Sequence, residues 1–366
     1  MTTKSEISTR QLGIMIFYAF CGLKFINLAS LLYQKIEDTA FVVALFLALA
    51  DVLIFVCILA FIKRHPGVSF YDYLSKKVGV ICAKIIYFLI FFYYLIRFSS
   101  FIAGNYSFLR DSIFSTAGKY FYISIIIPIV VALGYSTMKA FSRTCEFFFA
   151  IAISGFLICI ALGYFSGSFS LPFLSLDTTG SNFFSTALEF NYWFGDGLFL
   201  LLFMDKIRVE KNFMGRSLFF LGLSFVCVML FVFCFYGVFR RTSFIHHYTI
   251  YDVAVFGPEA LDVGRLDLIP VLTMMFFIIL QSSIMFRAVL ISLEDFCEAS
   301  HDKNVGSIVI CVLASLALIY FLFANDDKTF SFFQGWFKWF SLGVAFVLPI
   351  LLLFDLLKRR RRKNEK

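Results

Sequence analysis

Apolar residues fall in ten blocks, most of them near or above the roughly 20 helical residues needed to cross a bilayer core. The blocks cover approximately 12–32, 40–62, 81–103, 121–138, 142–165, 189–206, 216–239, 266–291, 305–323 and 334–357. None is an alternating segment of about ten residues, the pattern of a membrane barrel strand. The pattern predicts an all-α polytopic membrane protein with ten transmembrane helices in one integral membrane domain spanning residues 1–366. The first apolar run has no small-residue cleavage site and reads as the first span, not a signal peptide. The longest connections are 166–188 and 240–265, and the second, RRTSFIHHYTIYDVAVFGPEALDVGR, has the mixed polarity of short helices lying across one face.

Composition agrees with that pattern. Of 366 residues, 61% are hydrophobic, 15% charged and 53 are phenylalanine, against about 45–50% apolar and about 25% charged in soluble domains. The even span count puts both termini on one side. Twenty Lys and Arg residues fall on that side, seven of them in the tail from Lys358 onward, and seven fall on the other. The positive-inside rule then predicts cytoplasmic termini. The net charge of +8 has the same origin. The tail KRRRRKNEK, directly after a span, reads as an anchor to anionic membrane lipid and not as a nucleic-acid site.

Nine cysteines are scattered singly, mostly inside apolar runs, and read as small buried hydrophobes. Neighbouring His246 and His247 point to different helix faces and lack a Cys or carboxylate frame. No metal and no cofactor is expected. There is also no nucleophile–base pair and no phosphate-cradling glycine loop, so the chain does not read as an enzyme.

Charges inside the spans carry the functional signal, because each costs about 2.5–3.5 kcal/mol at the centre and usually faces a cavity or a partner. The deep candidates are Lys24, Asp51, Arg97, Glu189, Asp196 and Arg287. In NYWFGDGLFLLLF, residues 191–203, Asp196 stands between Gly195 and Gly197. Each glycine weakens a helix interior by about 1 kcal/mol, and backbone groups freed at that depth must find partners. Interrupted helices of this kind form the midplane sites of many transporters. The competing reading is a glycine-lined packing contact with the acid paired to a basic neighbour.

A second interruption is expected in the first span at Gly22, followed by Lys24, Asn27 and Ser30. Lys24 reads either as a fixed ammonium in the place of a coupling ion or as a counter-charge to Asp196 or Asp51. Arg97 on the third span, and Gln281 and Ser282 on the eighth, supply further polarity. Together these patches suit a zwitterionic ligand lying between spans one, three, six and eight.

Ten spans with weakened first and sixth members resemble the amino acid–polyamine–organocation transporter superfamily. Within it, the chain resembles the endospore-germination permeases, the GerAB-type B subunits of nutrient germinant receptors. The resemblance rests on ISTRQL (7–12), RHPG (64–67), FYDYL (70–74), KKVG (76–79), FGD (194–196), FGPE (256–259) and GRLD (264–267), in that order. It implies a LeuT-like 5+5 inverted repeat with broken helices 1 and 6. It further implies A-type and C-type receptor subunits as partners, the inner spore membrane as location, and a small nutrient ligand, plausibly an amino acid. Two departures stand out: Asp196 where the family typically has Glu, and Lys24 in the first-span break. A proton- or sodium-coupled amino-acid permease is the alternative.

Overall fold

A computed structural model describes residues 7–112, 119–165, 169, 180–246, 249–261, 268–298, 305–321 and 331–352. His247, the GRLD run and the basic tail lie outside them. Six segments are long and apolar enough to cross a membrane, and Phe121–Tyr135 and Val305–Phe321 are shorter apolar helices.

The first crossing is split into α1 (Thr9–Cys21) and α2 (Leu28–Ile36). α3 (Ala40–Arg64) returns, α4 (Phe70–Val78) lies between crossings, and α5 (Val80–Ser112), α6 (Lys119–Tyr135) and α7 (Met138–Phe165) follow. The sixth crossing is split into α8 (Gly180–Phe190) and the short α9 (Phe199–Leu202). α10 (Phe213–Phe239), α11 (Thr249–Leu261), α12 (Leu268–Phe296), α13 (Val305–Phe321) and α14 (331–352) complete the chain. Among the described residues these make ten crossings, two of them interrupted, with α4 and α11 as the helices between crossings. α11 meets the expectation of a short helix in the 240–265 connection. α8 begins at Gly180, well before the expected start near 189, because its first turns carry Ser, Asn and Thr that hide an apolar face. α14 is loosened by two π-type stretches, Phe333–Phe337 and Leu342–Val347, with Gly335 off helical geometry.

The packing is pairwise and repeats after five crossings. α1 lies along α10, and in the same way α8 and α9 lie along α3; α5 and α12 cross at the middle. The first crossing therefore stands to the seventh as the sixth stands to the second, the relation an inverted five-plus-five repeat requires. Lipid-facing side chains such as Ile81, Phe147 and Leu53 project outward, as the absence of a polar solvent around the bundle allows.

Close approaches fix helix spacing. A Cβ on Gly155 of α7 would sit 2.0 Å from Thr273 Oγ1 on α12, so the two helices touch through the bare glycine. Gly104 on α5 meets nothing within 4 Å. Gly155→Leu is expected to lower the melting temperature in detergent, by the equivalent of about 1–3 kcal/mol of overpacking. Gly104→Ala should leave it unchanged or slightly raised; equal melting of wild type and Gly155→Leu would overturn this packing account.

Candidate functional site

The two breaks differ in cause. In the sixth crossing the helix ends at Phe190, tightens through Asn191–Trp193, and becomes extended at Phe194. Gly195 then takes the left-handed conformation with φ +84° before Asp196–Leu198 starts the second half. A side chain there would be strained by the backbone and would also lie 2.5 Å from Ala345 Cβ. In the first crossing the α-helix ends at Cys21 and tightens through Gly22–Phe25; Gly22 and Ile26 keep right-handed φ and ψ, and only Asn27 leaves the helical region before α2 begins. Gly22 also stands close to α12, where a Cβ would meet the Gln281 side-chain amide. The interruption thus begins at Gly22, as expected, and runs to Asn27, while the glycine also packs closely against α12.

The broken backbone is satisfied mainly by side chains. Gly195 N–H donates to Asp51 Oδ1 at 2.9 Å, and Arg97 Nη1 donates to Phe194 C=O at 3.0 Å. Tyr93 Oη donates to Gly195 C=O at 3.3 Å. Around the first break, Lys24 Nζ donates to Phe20 C=O at 2.7 Å and Gln281 Nε2 to Ala19 C=O at 3.0 Å. Thr249, at the start of α11, donates its hydroxyl to Phe25 and Ile26 carbonyls and its N–H to Ile26 C=O. Tyr236 Oη closes Ala29 C=O at 2.8 Å.

The same groups form one ionic cluster. Lys24 Nζ lies 2.9 Å from Asp196 Oδ2 and 3.4 Å from Asp51 Oδ2, and Arg97 Nη2 lies 2.6 Å from Asp196 Oδ1. Exposure is 0% for Lys24 and Asp51, 3% for Arg97 and 4% for Asp196. Two cations and two carboxylates leave no net charge, which is the condition for holding charges this deep. Aromatic rings complete the shell: Lys24 Nζ stands 4.1 Å from the Phe20 ring centre and 4.8 Å from that of Phe194. Arg97 also donates to Tyr93 Oη and lies over its ring.

Of the residues singled out in the sequence, Lys24, Arg97, Gly195 and Asp196 meet in this cluster, and Asp51 joins them from α3. The acid points at two basic groups and not into an open hollow, which answers the question of its partner: Lys24 pairs with both carboxylates. A Cβ on Gly197 would lie 3.2 Å from the Phe55 ring, so α3 approaches this turn closely. Gln281 bridges α12 to α1, while its Oε1 and the Ser282 and Ser30 hydroxyls are buried with no partner among the described residues. Asn27 is half-buried and precedes α2 without capping it by its side chain. Glu189 and Arg287 lie elsewhere. Glu189 pairs with Lys35 at 3.1 Å, and Arg287 stands over Phe141. Ser99, Ser100, Thr273 and Ser283 bond carbonyls of their own helices, which ties up their hydroxyls. Sequence reasoning missed Thr249, whose role depends on carbonyls exposed by the break, and Tyr236, which bonds the first turn of α2 beyond it.

Comparison with known proteins accounts for the frame around this cluster. A family model described as "Spore germination protein" matches residues 6–330. The chain belongs to this spore germination protein family. Its opening motif now has a physical reading: Ser8 and Gln11 form a reciprocal capping box at the start of α1, and Arg10 and Gln11 both reach Glu146 on α7. No individual curated protein matches. Among solved structures, the family member is similar to MhsT in complex with L-phenylalanine, with 16% identity and a TM-score of 0.60. That match covers 93% of this chain and 87% of MhsT. A manganese transporter of Eremococcus coleocola, in complex with an aromatic bis-isothiourea substituted compound, gives 10% identity and a TM-score of 0.55. It covers 94% of this chain and 78% of the transporter. The fold is therefore the LeuT-like one, with ten spans in two inverted repeats.

The cluster generates a charge-balance test. Lys24→Met leaves two carboxylates against one guanidinium and is expected to cost about 3–5 kcal/mol, the usual penalty for stranding a buried charge. Lys24→Met combined with Asp51→Asn keeps the Arg97–Asp196 pair and restores neutrality, so its melting temperature in detergent should recover most of that loss. A double variant less stable than Lys24→Met alone would show that the cluster is not held by charge balance.

Proposed function

We propose that this chain is the ligand-sensing B subunit of a spore nutrient germinant receptor, working beside A-type and C-type partners in the inner spore membrane with both termini in the cytoplasm. The ligand is a small nutrient, an amino acid by its chemistry. It binds where the two interrupted crossings meet, at Gly22, Lys24, Asn27, Arg97, Gly195, Asp196, Gly197, Gln281 and Ser282.

The observation that carries this reading is the neutral four-charge cluster across the breaks. An amino acid brings one ammonium and one carboxylate. Its carboxylate can take the place of Asp196 on Arg97 or Lys24, and its ammonium the place of Lys24 on Asp51 or Asp196, with no change in net charge. The buried Gln281 and Ser282 oxygens that lack partners are available to the same ligand. The structural likeness to MhsT, whose structure holds L-phenylalanine, supports this class of ligand. Such an exchange favours the opened arrangement only by the ligand's differential affinity for it. That shift, passed through the halves of the first and sixth crossings, is the signal to the partner subunits.

The likeness to two transporters favours a second reading, an amino-acid permease with Asp196 or Asp51 as a proton carrier. A thermal-shift screen of amino acids on the purified protein and on the intact complex, followed by uptake in liposomes, separates the two. A receptor should be stabilised by one or a few amino acids, about 2.7 kcal/mol at a concentration 100-fold above Kd, without gradient-driven accumulation. Asp196→Asn combined with Lys24→Met, which keeps the cluster neutral, should remove that response while leaving folded protein in the membrane. Accumulation of the ligand would establish the permease, and stabilisation by no amino acid would overturn the ligand assignment.

A further inference from the structure

Near the ends where α3 finishes and α10 begins, a cavity of about 370 Å³ opens, lined by Lys63, Lys211, Asn212, Gly215, Arg216 and Phe219 among others. Both helix ends lie on the face where α1 starts. Lys63 and Lys211 are exposed and have no partner among the described residues. Arg216 holds Glu210 at 2.8 Å, so three cations and one carboxylate leave two positive charges around the opening. Gly215 has nothing within 4 Å of where a Cβ would stand, which leaves the backbone open to close approach. The start of α10 carries no acidic residue in its first turn, and its dipole adds to the positive field.

The lower rim is apolar. Phe219, one turn along α10 from Arg216, is 65% exposed, and Leu218 beside it is 39% exposed. A soluble anion would find no use for these side chains, whereas an acyl chain would lie along them. Cationic groups at the start of α10 are thus followed along the helix by apolar ones, the order in which a phospholipid presents its own.

We propose that this cavity is a binding site for an anionic phospholipid, its phosphate between Lys63 and Lys211 and its first acyl carbons against Phe219. Basic pockets at the ends of spans are suited to such head groups. The site is separate from the central ionic cluster and does not depend on the identity of the nutrient ligand. It would tie the seventh crossing, which packs along α1, to the composition of the leaflet on that face.

The test uses the full chain, purified and exchanged into nanodiscs of phosphatidylcholine with or without phosphatidylglycerol. Mass spectrometry then reads the lipid retained after a second detergent exchange. Phosphatidylglycerol should be retained over phosphatidylcholine, and Lys63→Gln/Lys211→Gln should weaken that retention by about tenfold or more, the worth of two head-group lysines. Lys76→Gln/Lys77→Gln, the same change of charge at the end of α4, should leave it intact. The substitutions are at exposed positions, and size-exclusion elution reports that each variant is folded. Equal retention of both lipids, or equal loss in the two lysine variants, would overturn the site. So would stabilisation of lipid-depleted protein by inorganic phosphate to the extent seen with phosphatidylglycerol, which would make the occupant a free anion.

Discussion

Main-chain polarity has no solvent at the middle of a bilayer, and this structure is organised around that fact. Two helices are opened there, and each carbonyl or N–H released by the opening would cost several kcal/mol if left bare. The answer is a set of side chains drawn from other crossings: Asp51, Tyr93, Arg97, Tyr236, Thr249 and Gln281 all bond main-chain atoms beside a break. Two of them, Asp51 and Arg97, also belong to the four-charge cluster with Lys24 and Asp196. Backbone repair and charge pairing are therefore a single network, and neither part would be stable at that depth without the other.

This network also explains why α11 is part of the membrane domain's logic. It lies outside the crossings in sequence, yet its first residue, Thr249, supplies both its hydroxyl and its N–H to the end of the first half-helix. The connection between the seventh and eighth crossings is thus anchored to the same break that holds Lys24. A change at the centre has a direct route to that face.

Much of this was legible in the chain. The ten crossings follow from hydropathy because each must match the bilayer, and the sixth-crossing break follows from an acid between two glycines. The ionic partners were less legible, because Lys24 and Asp196 are 172 residues apart and pairing at such distance leaves no periodic trace. Gly22 marks the end of the first half-helix as its sequence suggested, but its close approach to Gln281, 259 positions away, left no trace there. The early start of α8 was hidden by Ser, Asn and Thr residues that bury one face only. Asp51 stood out as a buried charge, but nothing local to it pointed to the N–H of Gly195.

The two interrupted crossings touch at three heights. Near one face Ile7 and Ile207 form a short parallel bridge; at the middle Lys24 meets Asp196; toward the other face Lys35 meets Glu189. Only the first of these rungs is built from main-chain atoms, which no side-chain rearrangement can loosen. That end of the pair is therefore fastened by backbone hydrogen bonds, whereas the other two rungs depend on the charge state of side chains.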